Sequence, residues 1–191
     1  GTPHPQRTSL IVDTGSGLVG FPCKGCDHCG KHLDAKFDFS KSRSARWLEC
    51  SDCPMEDCTR QMCSYARSYS EGSQIGGFLF EDYVELGDSF RPGLPVRARL
   101  GCHDEEDKLF YTQLANGIMG LAPPNPGSGP GILKSLFGDR KHVSSEIFTL
   151  CLAKWGGMLT VGGYNSSYHT NHSGGHLVAN GTSVQWTRLY A

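Results

Sequence analysis

The 191 residues suffice for one domain or for one lobe of a larger enzyme. With 18 Lys and Arg against 19 Asp and Glu, the formal charge is −1, so there is no cationic surplus for gripping nucleic acid or an acidic membrane surface. Gly (25) and Pro (10) are enriched while 38% of the residues stay hydrophobic, a balance that predicts a mostly β, turn-rich fold with a real core and little helix.

The start, Gly1-Thr2-Pro3-His4, has no basic-then-apolar leader, so a targeting segment is expected upstream or already removed. Leu10-Ile11-Val12 reads as a short buried strand that runs into a turn, Asp13-Thr14-Gly15-Ser16-Gly17. Residues 23–63 are cysteine-rich and polar, and read as an elaborated loop shaped by cross-links. Residues 64–86 predict a long hairpin, with Tyr65 and Tyr69 on one arm, Phe78-Leu79-Phe80 and Tyr83-Val84 on the other, and Glu71-Gly72-Ser73 turning between them. Further strands are expected at 94–100, 147–152, 158–161 and 184–189, an apolar element at 116–121, a Pro/Gly loop at 123–131 and a short helix at 132–137. The charge-free stretch at 155–187 is diluted with Gly, Asn, Ser and His, too polar for the ~20 apolar residues of a membrane span.

Of nine cysteines, seven lie between Cys23 and Cys63, with Cys102 and Cys151 beyond. Cys26-x2-Cys29 and Cys50-x2-Cys53 have zinc-ribbon spacing, and the rival reading is a disulfide framework. Three glycosylation sequons, at Asn165, Asn171 and Asn180, favour disulfides and an oxidising secretory compartment. An odd count leaves one cysteine without a partner in the chain. His169, His172 and His176 lie within the sequon-rich loop and read as solvated residues, so no metal and no cofactor is expected.

Asp13-Thr14-Gly15-Ser16 is the sharpest chemical signal. A carboxylate on a tight Gly turn with hydroxyl donors beside it can stay ionised and aim at a bound water, whereas the four residues alone also suit an ordinary Asp-Gly turn. The order Gly1-Thr2-Pro3, Asp13-Thr14-Gly15-Ser16, a hairpin with Tyr69 and Gly72-Ser73, Ile118-Met119-Gly120-Leu121 and Leu159-Thr160-Val161-Gly162-Gly163 resembles the first lobe of pepsin-like aspartic proteases. The cysteine cluster resembles that of the nepenthesin-type branch of this family.

The resemblance implies the N-terminal lobe of a bilobal acid protease across residues 1–191, with a nepenthesin-type insertion at 23–63 and a flap at 64–86. Asp13 would be one carboxylate of a catalytic dyad, supported by Thr14, Gly15 and Ser16, and Tyr69 would cap the transition state from the flap. Ile118-Met119-Gly120 would thread behind the catalytic loop, and Ile11, Tyr69 and Ile118 would line an apolar subsite. The branch's disulfide layout pairs Cys23 with Cys26, Cys29 with Cys102, Cys50 with Cys63 and Cys53 with Cys58, and sends Cys151 to the second lobe. Pepsin has a Trp bonded to the flap Tyr where this chain has Gly20, which leaves open how Tyr69 is held.

Within the branch, Ser68-Tyr69-Ser70-Glu71-Gly72-Ser73-Gln74-Ile75 and Phe21-Pro22-Cys23-Lys24-Gly25-Cys26 resemble apicomplexan proteases that mature exported effectors by cutting after Leu in an Arg-x-Leu motif. The likeness assigns the Arg to Glu71 and Gln113, with Gly72 and Ser73 lining the flap tip. A carboxylate presented by the flap accepts a bidentate guanidinium, and an amide oxygen takes another donor, so Lys should substitute poorly. Read without the family, Glu71 is a solvated turn acid and Gln113 a surface residue. The chain has no second Asp-Thr/Ser-Gly, so its partner is expected to be a C-terminal lobe of the same protein with the second Asp. The expected place is the secretory pathway, Golgi or endoplasmic reticulum, with any membrane anchor outside the segment. The rival readings are a catalytically inactive nepenthesin-like inhibitor and a zinc-ribbon interaction module.

Overall fold

The computed structural model describes residues 1–53, 57–87, 95–123, 131–154, 156–163, 177–179 and 182–184. Two compact units divide the chain, Gly1–Ser135 and Leu136–Ala191. The first holds an eight-stranded mixed sheet. Its strands are β1 (Leu10–Asp13), β2 (Val19–Pro22), β3 (Arg46–Trp47), β4 (Asp57–Thr59), β5 (Met62–Ser68), β6 (Gln74–Val84), β7 (Val96–Glu106) and β8 (Gly117–Gly120). The order is β1-β8-β2-β7-β6-β5-β4, with β3 pairing on β6. β1 runs parallel to β8 and β2 parallel to β7, while β5–β6 and β6–β7 are antiparallel. Helix α1 (Lys108–Thr112) connects β7 to β8, and helix α2 (Ile132–Gly138) spans the unit boundary. The second unit contains two antiparallel pairs, β9 (Phe148–Ala153) with β10 (Gly156–Val161), and β11 (Leu177–Ala179) with β12 (Thr182–Val184).

The Gly-Gly-Phe-Leu-Phe run of β6 lacks simple apolar–polar alternation because the strand is covered on both faces. Ile75 and Leu79 enter a core with Leu48, Cys53, Cys63, Tyr65, Phe110 and Ile118. Phe80, opposite in pleat to Leu79 and fully buried, meets the rings of Phe21, Phe37, Phe39 and Trp47 at centroid distances of 5.3–6.1 Å. The polar cysteine-rich segment therefore supplies an aromatic lid to the sheet. It also contains short ordered elements, β3, β4 and two 3-10 turns at Phe39–Lys41 and Cys50–Asp52, where the sequence suggested only loop.

The disulfide layout implied by the resemblance is corrected throughout. Cys23 bonds Cys102, Cys26 bonds Cys29, Cys50 bonds Cys58 and Cys53 bonds Cys63. The reason for the first exchange is register: β2 pairs Phe21 with Cys102 and Pro22 with His103, which delivers Cys23 beside Cys102 at a Cα separation of 5.4 Å. Cys26 and Cys29 then close locally. The second exchange follows burial, since Cys53 and Cys63 share the core whereas Cys58 lies outside it. These bonds occupy all four cysteines of the zinc-ribbon spacing, which overturns that reading. Cys151 is free among the described residues.

The 147–152 and 158–161 strands appear as β9 and β10, the 132–137 helix as α2, and the 94–100 strand as β7, which runs on to Glu106. Leu94, the three sequon asparagines, His169, His172, His176 and residues 185–189 lie outside the described residues. Leu10-Ile11-Val12 is a strand, but not a buried one: β1 is the sheet's edge, and Ile11 and Val12 are 43% and 41% exposed. Among the described residues no helix is long and apolar enough to cross a membrane.

Candidate active site

β1 ends at Asp13, and the chain turns at once through Thr14 and Gly15. The turn is an Asx type: the Gly15 amide donates to Asp13 Oδ1 at 2.8 Å, which points the carboxylate along a fixed direction. The loop is pinned from behind by the end of β8 and the residues after it. Gly120 N donates to Leu18 O at 2.8 Å, Leu121 N to Asp13 O at 2.7 Å and Ala122 N to Ser16 O at 2.9 Å. Only glycine fits at position 120, because a Cβ there would lie 2.4 Å from Ser16 O and 2.7 Å from Leu18 N, both backbone. Residues 118–120 thus lie against the Asp13 loop as a rigid backing.

The β5–β6 hairpin stands across from this loop. At its tip Tyr69 N donates to Ser73 O and Gly72 N to Tyr69 O, each at 2.9 Å. The α1 region fastens the base of the tip: Gln74 N donates to Asp107 Oδ1 at 2.5 Å, Leu109 N to the buried Ser73 Oγ at 3.2 Å, and Lys108 Nζ to Gly72 O at 2.7 Å. The Tyr69 ring packs 4.9 Å from the Phe110 ring. Phe110 therefore supports the tyrosine, while the space beside Gly20 is taken by His103, whose Nε2 would lie 2.5 Å from a Cβ at that position. Burial pushes the Tyr69 hydroxyl up to about 12; the adjacent Ser16 hydroxyl opposes the shift, and the Asp13 charge adds to it. Tyr69 is a neutral donor at any working pH. Ser16 Oγ neighbours it but makes no hydrogen bond of normal geometry, and is buried with no partner among the described residues.

Asp13, Gly15, Ser16, Tyr69, Glu71, Gln113, Ile11 and Ile118 line one cleft of about 660 Å³, a volume suited to a ligand or several peptide residues. Thr14 is exposed beside it. Gly72 and Ser73 shape the hairpin turn rather than line the cleft, and the Ser73 side chain faces α1. Glu71 is exposed at the tip, and Gln113 ends α1 with its Nε2 buried and without a partner among the described residues. Sequence reasoning missed α1 itself, whose Leu109 and Phe110 line the cleft, and Arg67 and Arg99, which line it too. Helix α1 has five residues after an acidic run and carries no periodicity to announce it. Among the described residues no group of three or more His, Cys, Asp or Glu is placed to hold a metal ion.

Residues 1–163 match the xylanase inhibitor N-terminal family. Aspartic protease 5 of Toxoplasma gondii is 41% identical over 184 positions, covering 86% of this chain and 19% of that protein. Plasmepsin V of Plasmodium falciparum is 38% identical over 169 positions, covering 85% of this chain and 28% of that protein. Nepenthesin-2 of Nepenthes gracilis, an aspartic proteinase, is 28% identical over 161 positions, with 82% and 33% covered. The chain spans well under half the length of each of these relatives. A family match over most of its length, with the Asp13 turn backed by residues 118–120 and faced by the Tyr69 hairpin, places it plainly: the chain belongs to the pepsin-like aspartic proteases, in the lineage that includes the nepenthesin-type enzymes.

Proposed function

We propose that this chain is the N-terminal lobe of an aspartic endopeptidase of the secretory pathway that cuts exported proteins after Leu in an Arg-x-Leu motif. The observation that carries the reading is the single cleft joining the oriented Asp13 carboxylate, the neutral Tyr69 hydroxyl and the Glu71–Gln113 pair. A C-terminal lobe of the same protein supplies the second aspartate. One carboxylate of the dyad takes a proton from the attacking water, the other, protonated, polarises the scissile carbonyl, and Tyr69 donates towards the developing oxyanion. Asp13 suits a place in that dyad because only one of its oxygens is engaged by the turn in hydrogen bonds within the described residues.

Glu71 closes from the hairpin tip onto the arginine guanidinium, and the Gln113 amide offers its oxygen to a guanidinium N–H and its nitrogen, unpaired among the described residues, to a substrate carbonyl. Ile11, Tyr69 and Ile118 form the apolar wall for Leu. Support for the compartment comes from four disulfides, from three sequons and from relatives named as aspartic protease 5 and plasmepsin V.

The test is peptide cleavage by the full-length parent protein at mildly acidic pH. An Arg-x-Leu peptide should be cut after Leu, Asp13→Ala should abolish cutting, and Lys for Arg or Glu71→Gln should each lower kcat/KM at least about tenfold, the loss of one charged bidentate contact. Equal cutting of the Arg and Lys peptides would remove the roles of Glu71 and Gln113 and leave the protease. The family's description also names inhibitors, so a folded, prosegment-free parent that cuts nothing would move the reading to a binding homologue.

A further inference from the structure

Behind the Gln113 edge of the cleft lies a sealed polar cluster. His32, Glu106 and His103 have side chains 1%, 0% and 0% exposed. Glu106 Oε2 meets His32 Nε2 at 2.9 Å and, more distantly, the Gly30 amide at 3.4 Å; Glu106 Oε1 meets His103 Nδ1 at 2.8 Å. His32 Nδ1 lies 3.0 Å from the backbone oxygen of Gln113. A carbonyl oxygen only accepts, so His32 Nδ1 carries a hydrogen and donates it. His28 Nδ1 is placed in the same way, 3.0 Å from the Glu106 carbonyl.

Burial sets the state of His103. His103 is held below its ordinary range chiefly by desolvation, which its own hydrogen bond to Glu106 opposes; the ring is neutral, donates from Nδ1 to Glu106 Oε1, and leaves Nε2 without a partner among the described residues. His32 therefore bridges two groups, with Nδ1 on Gln113 O and Nε2 2.9 Å from Glu106 Oε2. The ring is a clamp with two jaws.

This clamp has a mechanical purpose. Helix α1 is five residues long, too short to hold its own shape, and Gln113 N donates only to Leu109 O one turn back. The segment 28–34 of the cysteine-rich insertion forms a plate behind it: Glu106 N donates to His28 O at 2.9 Å, Leu33 N to Leu114 O at 2.8 Å, Asp34 N to Asn116 Oδ1 at 2.9 Å and Asn116 Nδ2 to Asp34 O at 2.9 Å. The Cys26–Cys29 bond stiffens the entry to that plate. His32 grips the carbonyl of Gln113, a cleft-lining residue whose side-chain Nε2 is buried and without a partner among the described residues.

We infer that His32, clamped by Glu106, is a positioning residue that sets Gln113 in the cleft from behind, so that the cysteine-rich insertion governs the arginine-reading edge of the site. The substrate side of this inference rests on the Arg-x-Leu reading above, and the hydrogen-bond side does not.

The experiment uses the full-length parent with Arg-x-Leu and Lys-x-Leu peptides. In His32→Gln the side-chain amide reaches Glu106 but cannot occupy the Nδ1 place; in His32→Asn an N–H takes that place. His32→Gln should cut the Arg-to-Lys ratio of kcat/KM about tenfold, with the loss in KM on the Arg peptide, and His32→Asn should recover most of the ratio. Equal loss on both peptides, or an unchanged ratio, would overturn the assignment. If the wild-type protein does not prefer Arg, the substrate reading has failed, and 15N histidine spectra of the wild type decide the clamp. The same spectra decide it if the variants fail to fold. A protonated Nδ1 on His32 coupled across its hydrogen bond to Gln113 upholds the positioning role, and a bare Nδ1 overturns it.

Discussion

The Cys23–Cys102 bond closes a loop of 79 residues, whereas the Cys26–Cys29 bond spans a separation of 3. In the chain-entropy account those lengths correspond to about 4.5 and about 1.6 kcal/mol of stabilisation through the unfolded state. Replacing Cys23 and Cys102 together by Ala should therefore cost roughly three times as much, in guanidinium unfolding of the full-length protein, as replacing Cys26 and Cys29. Under the exchanged pairing, Cys23–Cys26 with Cys29–Cys102, each double variant would break both bonds and the two would lose alike. A digest reads the same question directly, because Lys24 lies between Cys23 and Cys26. Trypsin on the unreduced protein should release the peptide ending at Lys24 joined to the peptide that begins at Leu100, and, separately, residues 25–31 with an internal bond. A single three-peptide mass joining all of these, or equal stability losses in the two variants, would refute the register argument that sets Cys23 against Cys102.

The Gly120→Ala change drives a Cβ to 2.4 Å from Ser16 O, and backbone cannot move aside as a side chain can; a loss of about 3 kcal/mol in thermal unfolding and of cleavage activity is expected, and wild-type values for both would remove the backing role of residues 118–120. Phe110→Leu keeps the core apolar but removes the ring that packs on Tyr69, so kcat should fall in folded protein, alongside a loss of about 1 kcal/mol of stability from the trimmed core; an unchanged kcat would mean that Tyr69 is held by something else. His103 is depressed in the folded state, so the folded protein binds fewer protons than the unfolded chain. Its contribution is complete above the ordinary histidine value of about 6.5 and is lost as pH falls through the depressed folded value. His103→Asn, which keeps a donor to Glu106 without a titrating ring, should flatten the decline of unfolding free energy over that range, and an unaltered slope would assign it to other groups.

The parts of the site visible in the sequence are those whose partners lie within a turn of chain. The Asp13 turn is one, since Gly15 N and Asp13 Oδ1 are two residues apart. The hairpin around residues 69–73 is another, because its arms face each other across the turn that joins them. β2 was missed: Val19-Gly20-Phe21-Pro22 contains a Gly and a Pro that argue against a strand, and it is stable only because β8 and β7 enclose it. Eight paired cysteines permit 105 connectivities, and spacing does not rank them; the β2–β7 register sets Cys23 against Cys102, and shared burial sets Cys53 against Cys63.

The His32–Glu106–His103 cluster lies at the far end of this scale. Its first two members are 74 positions apart, and each alone reads as a polar residue of an unremarkable segment. What makes the cluster is a demand that no local pattern expresses: a carboxyl group sealed from water needs a partner on each oxygen, and these are His103 from the same strand and His32 from the cysteine-rich loop. The same reasoning runs in the opposite direction for Gln113. Its side chain carries a buried nitrogen without a partner among the described residues, while its backbone oxygen accepts from His32 Nδ1. A main chain held fixed and an amide unpaired among the described residues are the combination that the guanidinium contact proposed for Gln113 requires.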